Sequence, residues 1–271
     1  MLIQQVGRIL DYNSILDYTS DMEAATRVVP KVVFKSFNSD MVGLEGVLLD
    51  FIDETFLVGS HAAPDGLQSE VSFQIARILK FKDSFKQKTA SKGYPTGENS
   101  DVAWARFVVL DNSRNQTKAL LGRKMSYEGM LDSWNNWHGC LMDLAAPNST
   151  PVSYPSAALE DAVRGSSYTD AILNTSNNGA YMITNTGYIG LGPLYAVDGD
   201  AIIIFNGAST PSILRRVIHG ESIEGKHSTA GEEEEDVGTW RIIGTCYIHG
   251  FMDNEIASPE WQAKKETFWI V

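Results

Sequence analysis

Residues 185–193 read NTGYIGLGP: three glycines and a proline in nine positions, set among apolar side chains. Glycine in such company serves a backbone with φ > 0 or the close approach of another chain or a ligand. A dinucleotide-binding loop needs G-x-G-x-x-G opening a helix, so that the helix N-terminus meets the pyrophosphate. From Gly190 the frame runs Gly190-Leu191-Gly192-Pro193-Leu194-Tyr195, with Tyr195 where the third glycine belongs. A turn and a strand follow rather than a helix, and no G-K-[ST] completes a P-loop. The stretch therefore reads as strand and corner. Gly187, Gly190 and Gly192 are read as structural, serving bulges or close backbone contact, and Pro193 as the end of pairing.

Working outward, the pattern stays β. AYMIT (180–184) and YIGL (188–191) are short strands around the turn Asn185-Thr186-Gly187. AIIIF (201–205) is a buried strand, SILRRVI (212–218) alternates, and TWRIIGTCYIHGFM (239–252) is one long strand with structural glycines at Gly244 and Gly250. Such short strands broken by glycine turns point to a small, strongly bent sheet or barrel. Upstream, two β-rich runs flank Asn38-Ser39-Asp40 and predict a hairpin over 32–53, which must pack on the late strands because a two-stranded ribbon is not stable alone.

Between about 67 and 175 the period changes to 3.6. Val71, Ile75, Ile78, Leu79 and Phe85 share a stripe. Ser100 is positioned to cap a helix bearing Trp104, Phe107 and Val108, and Ser126 one bearing Trp134 and Trp137. PNSTPVSYPS (147–156) is a loop, followed by a helix over 157–173. The fold expected is α+β, a helical middle region packed with a small, strongly bent antiparallel β-sheet or barrel. Its divisions are an irregular segment 1–30, an early hairpin with the helical region over 31–178, a C-terminal β unit over 179–257, and a tail over 258–271. Within the β unit, residues 219–238 are polar, glycine-rich and end in the acidic run Glu232 to Asp236, which reads as a solvated, disordered loop or as an acidic docking tail.

The net charge is −12, from 22 basic and 34 acidic residues, which excludes a protein that holds nucleic acid by charge. With 43% hydrophobic residues the chain can bury a core. Two cysteines, Cys140 and Cys246, make no disulfide framework. The first residues lack the apolar centre of a secretory signal, and no apolar run reaches the roughly 18 residues of a membrane span. The sequence expectation is a cytoplasmic protein with reduced thiols. The sequons at Asn115, Asn148 and Asn174 are chance matches on that reading.

The chemistry-bearing residues form no full catalytic set. Cys246 and His249 are separated by an odd number of strand positions and face opposite ways. His138 and Cys140 are two apart on a helix and do not share a face. No second pair stands at zinc spacing, and no G-x-S-x-G elbow occurs. No catalytic residue, metal or cofactor is assigned. The best polar cluster is His249, Asp253 and Glu255, either a ligand or acid–base site or the turn that ends the strand. Trp104, Trp134 and Trp137 form an aromatic stripe, core or binding face. Arg77, Lys80, Lys82, Lys86, Lys88 and Lys92 make one basic stretch, suited to a helix C-terminus or to an anionic partner.

The phrases GYIGLGP (187–193), VDGDAIIIFNGASTPSILRRV (197–217) and WRIIGTCYIHGFMDNE (240–255) resemble the C-terminal region of fungal heterokaryon incompatibility (HET) domain proteins. YPTGENSDVAWARFVVLDN (94–112) and VGLEGVLLDFID (42–53) resemble its middle and earlier parts, so the likeness covers roughly residues 31–257. Asn254 stands where that family has glycine. The family's HET domain lies N-terminal to such a region, and residues 1–30 cannot hold it. The expectation is therefore the tail without the effector: a non-enzymatic interaction or regulatory module with a protein partner, tied to non-self recognition. The alternatives are a small hydrolase or transferase working near His249, Asp253 and Glu255, and an inactive fragment of a degenerate gene. Oligomeric state is not legible.

Overall fold

One strand organises the molecule. β2 (Val42–Leu57) is 16 residues long and takes three partners in succession along its length. Residues 42–47 pair with β9 (Lys265–Ile270), residues 46–51 with β5 (Ala201–Phe205), and residues 52–57 with β3 (Gly179–Thr184). Its register shifts between Leu48 and Asp50 and again between Ile52 and Glu54, bulges that re-aim the strand from one layer to the next. The computed structural model describes residues 32–34, 41–57, 70–110, 131–132, 134–139, 172, 179–208, 210–217, 238–252 and 258–271.

β1 (Val32–Phe34) pairs antiparallel with residues 42–44. β5 pairs with β6 (Ser212–Val217), β6 with β7 (Thr239–Thr245), and β7 runs parallel to β9. Because β9 and β5 both return to β2, five strands close into a barrel. From β2 the sheet continues outward through β3, β4 (Ile189–Pro193) and β8 (Tyr247–Ile248).

Strand alternation divides the core into three layers. Val42, Leu44, Ala201, Ile203, Phe205, Leu214, Phe268 and Ile270 fill the barrel. Ile202 and Ile204 point the other way, into a layer shared with Met182, Ile213 and Ile248 of the outer strands and the barrel wall. AIIIF is wholly buried because both of its faces are covered. The far side of the outer ladder, carrying Phe56, Tyr181, Ile183 and Ile189, is covered by α1 (Glu70–Thr89) and α2 (Ser100–Phe107) through Ile78, Phe81, Phe85, Trp104 and Phe107.

The α+β expectation is thereby overturned: the molecule is mostly β, with nine strands in one continuous sheet among the described residues. The physical cause lies at two places. The early β segment is the 16-residue spine of both layers rather than half of a small hairpin. Residues 265–270, with only Phe268 and Ile270 buried deeply, supply a strand that closes the barrel. The expected single strand 239–252 also divides, at Cys246, β7 staying in the barrel and β8 crossing to the outer ladder. Asn99 rather than Ser100 caps α2, its side-chain oxygen accepting from the amides of Asp101 and Val102 at 2.9 and 3.3 Å. The cap at Ser126, most of the helix over 157–173 and the acidic run of the 219–238 loop lie outside the described residues.

The same alternation sets the surroundings of the opening motif. Ile189 and Leu191 face the helices, while Gly190 and Gly192 face the crowded layer between ladder and barrel. A Cβ on Gly190 would stand 2.6 Å from the Tyr247 carbonyl oxygen, and one on Gly192 2.7 Å from Ile213 Cδ1. Close approach, by another strand, is what these glycines accommodate. Gly187, at φ 100°, turns the hairpin between β3 and β4.

Candidate functional site

His249 follows β8 and is 2% exposed. Its backbone amide donates to the Ile189 carbonyl at 2.9 Å, which continues the ladder by one residue. Gly250, at φ 97°, then reverses the chain, and Phe251 N–H donates back to Ile248 at 3.1 Å. A second turn packs against this one. Gly97 N–H donates to the Tyr94 carbonyl at 2.9 Å, and a Cβ on Gly250 would stand 2.6 Å from Thr96 Cγ2. This second turn places Glu98 immediately before the Asn99 cap of α2, facing the imidazole.

The polar groups then close on one another. His249 Nε2 lies 2.9 Å from Glu98 Oε2, and Nδ1 lies 3.0 Å from the Tyr247 hydroxyl. Arg106 NH1, one helix length along α2, donates to Glu98 Oε1 at 2.6 Å. The Tyr94 hydroxyl donates to the His249 carbonyl at 2.7 Å and receives the Ile189 amide at 3.4 Å. Burial alone would raise the Glu98 carboxyl pKa, but hydrogen bonds from His249 and Arg106 reverse that and hold it below its ordinary value. An ionised Glu98 accepts from Nε2–H, while Nδ1 and the Tyr247 hydroxyl share the second hydrogen bond. Burial drives the Tyr94 phenol well above its usual range, so it remains a neutral donor.

Among the described residues Tyr247 is the sole hydroxyl on the imidazole, and no serine or cysteine nucleophile meets it. Cys246 is 4% exposed and burial pushes its thiol pKa up, which leaves it unreactive. No three His, Cys, Asp or Glu side chains among the described residues are gathered so as to hold a metal ion. The arrangement clasps the α1–α2 connection to the end of β8.

A second polar centre lies at the other end of the ladder. Asp200, 2% exposed, receives Arg215 Nε at 2.8 Å and NH2 at 2.9 Å in a bidentate fork. It also accepts from Val197 N–H at 2.9 Å, while Arg215 NH2 reaches the Tyr195 carbonyl at 2.7 Å. The Asp200 hydrogen bond raises the guanidinium pKa further. The loop so fixed displays Tyr195 at 79% and Val197 at 45% exposure.

Of the cluster predicted from sequence, His249 is placed in a buried network; Asp253 and Glu255 lie outside the described residues. The residues that do surround His249 are Glu98, Arg106, Tyr94 and Tyr247. Tyr94 and Glu98 sit in YPTGEN, a phrase singled out for its resemblance but not for its chemistry. Trp104, Trp134 and Trp137 are buried in the core beneath the helices.

The profile of one protein family, the Het-6 beta-barrel domain, matches residues 39–271. Heterokaryon incompatibility protein 6, OR allele, from Neurospora crassa is 30% identical over 89 residues, which is 33% of this chain and 10% of that protein. That match therefore spans about a tenth of the relative's own length. No solved structure matches. No described helix is long and apolar enough to cross a membrane.

Proposed function

The chain belongs to the Het-6 β-barrel domain family, and from that premise we propose that it acts as a non-enzymatic interaction or regulatory module in fungal non-self recognition. The observation that carries the non-enzymatic part is the sealing of His249. Its ring is buried, and both nitrogens are spent on Tyr247 and Glu98. A general base needs an open approach to the proton it abstracts, and this one has its partners already. The glycine motif likewise accommodates a neighbouring strand rather than a ligand. What supports a protein partner is the loop after β4. It presents Tyr195 outward on a backbone held by Asp200 and Arg215, and a rigid exposed tyrosine loses little entropy on contact.

The test is genetic and biochemical together. Deleting the gene, and expressing the chain in strains of differing compatibility type, should change which pairings form viable heterokaryons. Tyr195→Ala should weaken that effect without changing the melting temperature. Unchanged pairings in both experiments would remove the role in non-self recognition. Turnover of ester or amide substrates by the purified chain, abolished in a folded His249→Gln variant, would replace the module with a hydrolase.

A further inference from the structure

The last residues of β2 carry a ladder on one side only. Ile52 N–H donates to the Asp200 carbonyl at 2.9 Å, and its own carbonyl accepts from Gly199 N–H at 2.8 Å, so the β5 side of β2 is paired as far as Ile52. Gly199, at φ 86°, then turns the chain away, and among the described residues no strand lies on that side past residue 52. The other side holds β3, and its register decides what is left over. Thr184 N–H donates to the Tyr188 carbonyl across the β3–β4 hairpin, so Thr184, Met182 and Ala180 aim their backbone groups at β4, while Ile183 and Tyr181 aim theirs at β2. Thr55 and Leu57 stand opposite Met182 and Ala180. Their N–H and C=O groups therefore point away from β3, along the open edge, as a short template for one more strand.

The side chains around this edge agree with its backbone. Alternation puts Thr55 and Leu57 on one face, opposite to Phe56, which lies under the helices. The Thr55 hydroxyl donates to Asp198 Oδ1 at 3.1 Å and so holds the loop after β4 against that face. The large hydrophobic side chains left exposed among the described residues are Tyr195 and Val197 on this loop and Leu57, 41% exposed, two residues along β2 from Thr55. Asp53 is paired with Lys88 and Asp200 with Arg215, whereas Glu54 and Asp198 have no cation in ion-pair reach among the described residues. We propose that this edge binds an extended segment of a partner protein, in which apolar side chains alternate with Lys or Arg, as an added strand on Thr55 and Leu57. Strand addition rests on the reading of the chain as an interaction module and names how the partner is held. Main-chain hydrogen bonds fix the segment, its apolar face covers Leu57 and Val197 beside Tyr195, and its cations meet Glu54 and Asp198. A second copy of this chain is a poorer occupant, because it would set Glu54 and Asp198 of both copies together between chains of net charge −12.

The probe is the capped peptide Lys-Val-Lys-Ile-Lys-Val-Lys, titrated into the nitrogen-15-labelled full chain at about 50 mM salt and followed by amide shifts. Comparators are the same peptide with Glu for every Lys, and two forms N-methylated at its odd or at its even residues. An added strand bonds β2 through one alternate set of amides only, so one methylated form should lose binding and the other keep it. The expected result is saturable binding that shifts the Thr55 and Leu57 amides, at least about tenfold weaker for the acidic peptide and in Asp198→Lys. Leu57→Pro removes an outward N–H while sparing the β3 pairing, and it should also weaken binding at least about tenfold. Circular dichroism confirms that each variant is folded. No saturation, equal binding of the acidic peptide, methylated forms that bind alike, or unchanged binding in folded Leu57→Pro would each overturn strand addition. A concentration-dependent dimer abolished by Leu57→Pro would assign the edge to a second copy instead. Altered heterokaryon pairings in Tyr195→Ala without peptide binding would sink strand addition alone and leave the interaction module standing.

Discussion

Glu98 and His249 stand 151 residues apart in the sequence, yet their carboxylate and imidazole meet at 2.9 Å beneath the surface. The pair ties the α1–α2 connection to the outer ladder, and Arg106 neutralises the carboxylate from its other side. Glu98→Ala should destabilise the protein by about 3 kcal/mol, because Arg106 and the imidazole N–H then lose their shared acceptor. The pH dependence follows from the lowered Glu98 pKa. A depressed carboxyl contributes stability that is fully present above its unfolded value, near 4.5, and is lost as pH falls through the lower folded value. Urea midpoints measured from about pH 6 down to pH 3 should therefore drop more steeply in wild type than in Glu98→Gln. Parallel slopes would show that the pair carries no such linkage.

Gly190 and Gly192 look equivalent in sequence but not in space. A Cβ on Gly190 meets a backbone oxygen at 2.6 Å, which cannot yield without moving β8. One on Gly192 meets the terminal methyls of Ile213 and Met182 at 2.7 and 3.1 Å, which can rotate away. Gly190→Ala should cost about 3 kcal/mol and Gly192→Ala about 1 kcal/mol. Thermal unfolding of the two variants side by side decides it; the reverse order would refute the close-approach account.

Asp200 is the more buried partner of Arg215, and it also holds the loop amide of Val197. Asp200→Ala should lower stability by about 2 kcal/mol: the Val197 amide loses its acceptor, while the 40%-exposed guanidinium regains water and keeps the Tyr195 carbonyl. Arg215→Lys keeps the charge but loses the fork and should cost about 1 kcal/mol. Denaturant curves for both variants provide the measurement, and equal losses would argue that the fork geometry is immaterial.

Val217 pairs with Thr239 and Arg216 with Trp240, so the ends of the chain between β6 and β7 already lie side by side. Replacing residues 221–236 with a short Gly/Asn turn should leave the fold intact and the melting temperature equal or higher. Shortening a loop changes its closure entropy by only about 0.6 kcal/mol per halving. A large loss of stability would mean that the acidic run is held by something and contributes to the fold.

The strands around NTGYIGLGP were legible because β-branched runs and glycine turns are local signals: β3, β4, β5 and β6 fall where alternation places them. What stayed hidden was anything decided by distant pairing. Nothing in VGLEGVLLDFIDETFL announces that it serves two layers, since its bulges are set by β5 and β3 rather than by its own residues. KETFWI carries Lys265, Glu266 and Thr267 ahead of its two buried side chains, too short an alternation to stand out. His249 could be singled out as polar within an apolar strand. Glu98 could not, because it is drawn there by the capping of α2 and by the turn at Gly97, and neither refers to the other end of the chain.

Barrel closure joins residues 42–47 to residues 265–270, almost the whole length of the sequence apart. The order in which the ladders can form is constrained by this. The β3–β4 and β5–β6 hairpins pair near neighbours and can assemble early, whereas β2 must wait for its last barrel partner with apolar Val42 and Leu44 uncovered. Non-local pairing of this kind slows folding, and an uncovered strand edge recruits other chains during the delay. Refolding yield should therefore fall with protein concentration. A molecular chaperone that shields residues 42–51 should restore it.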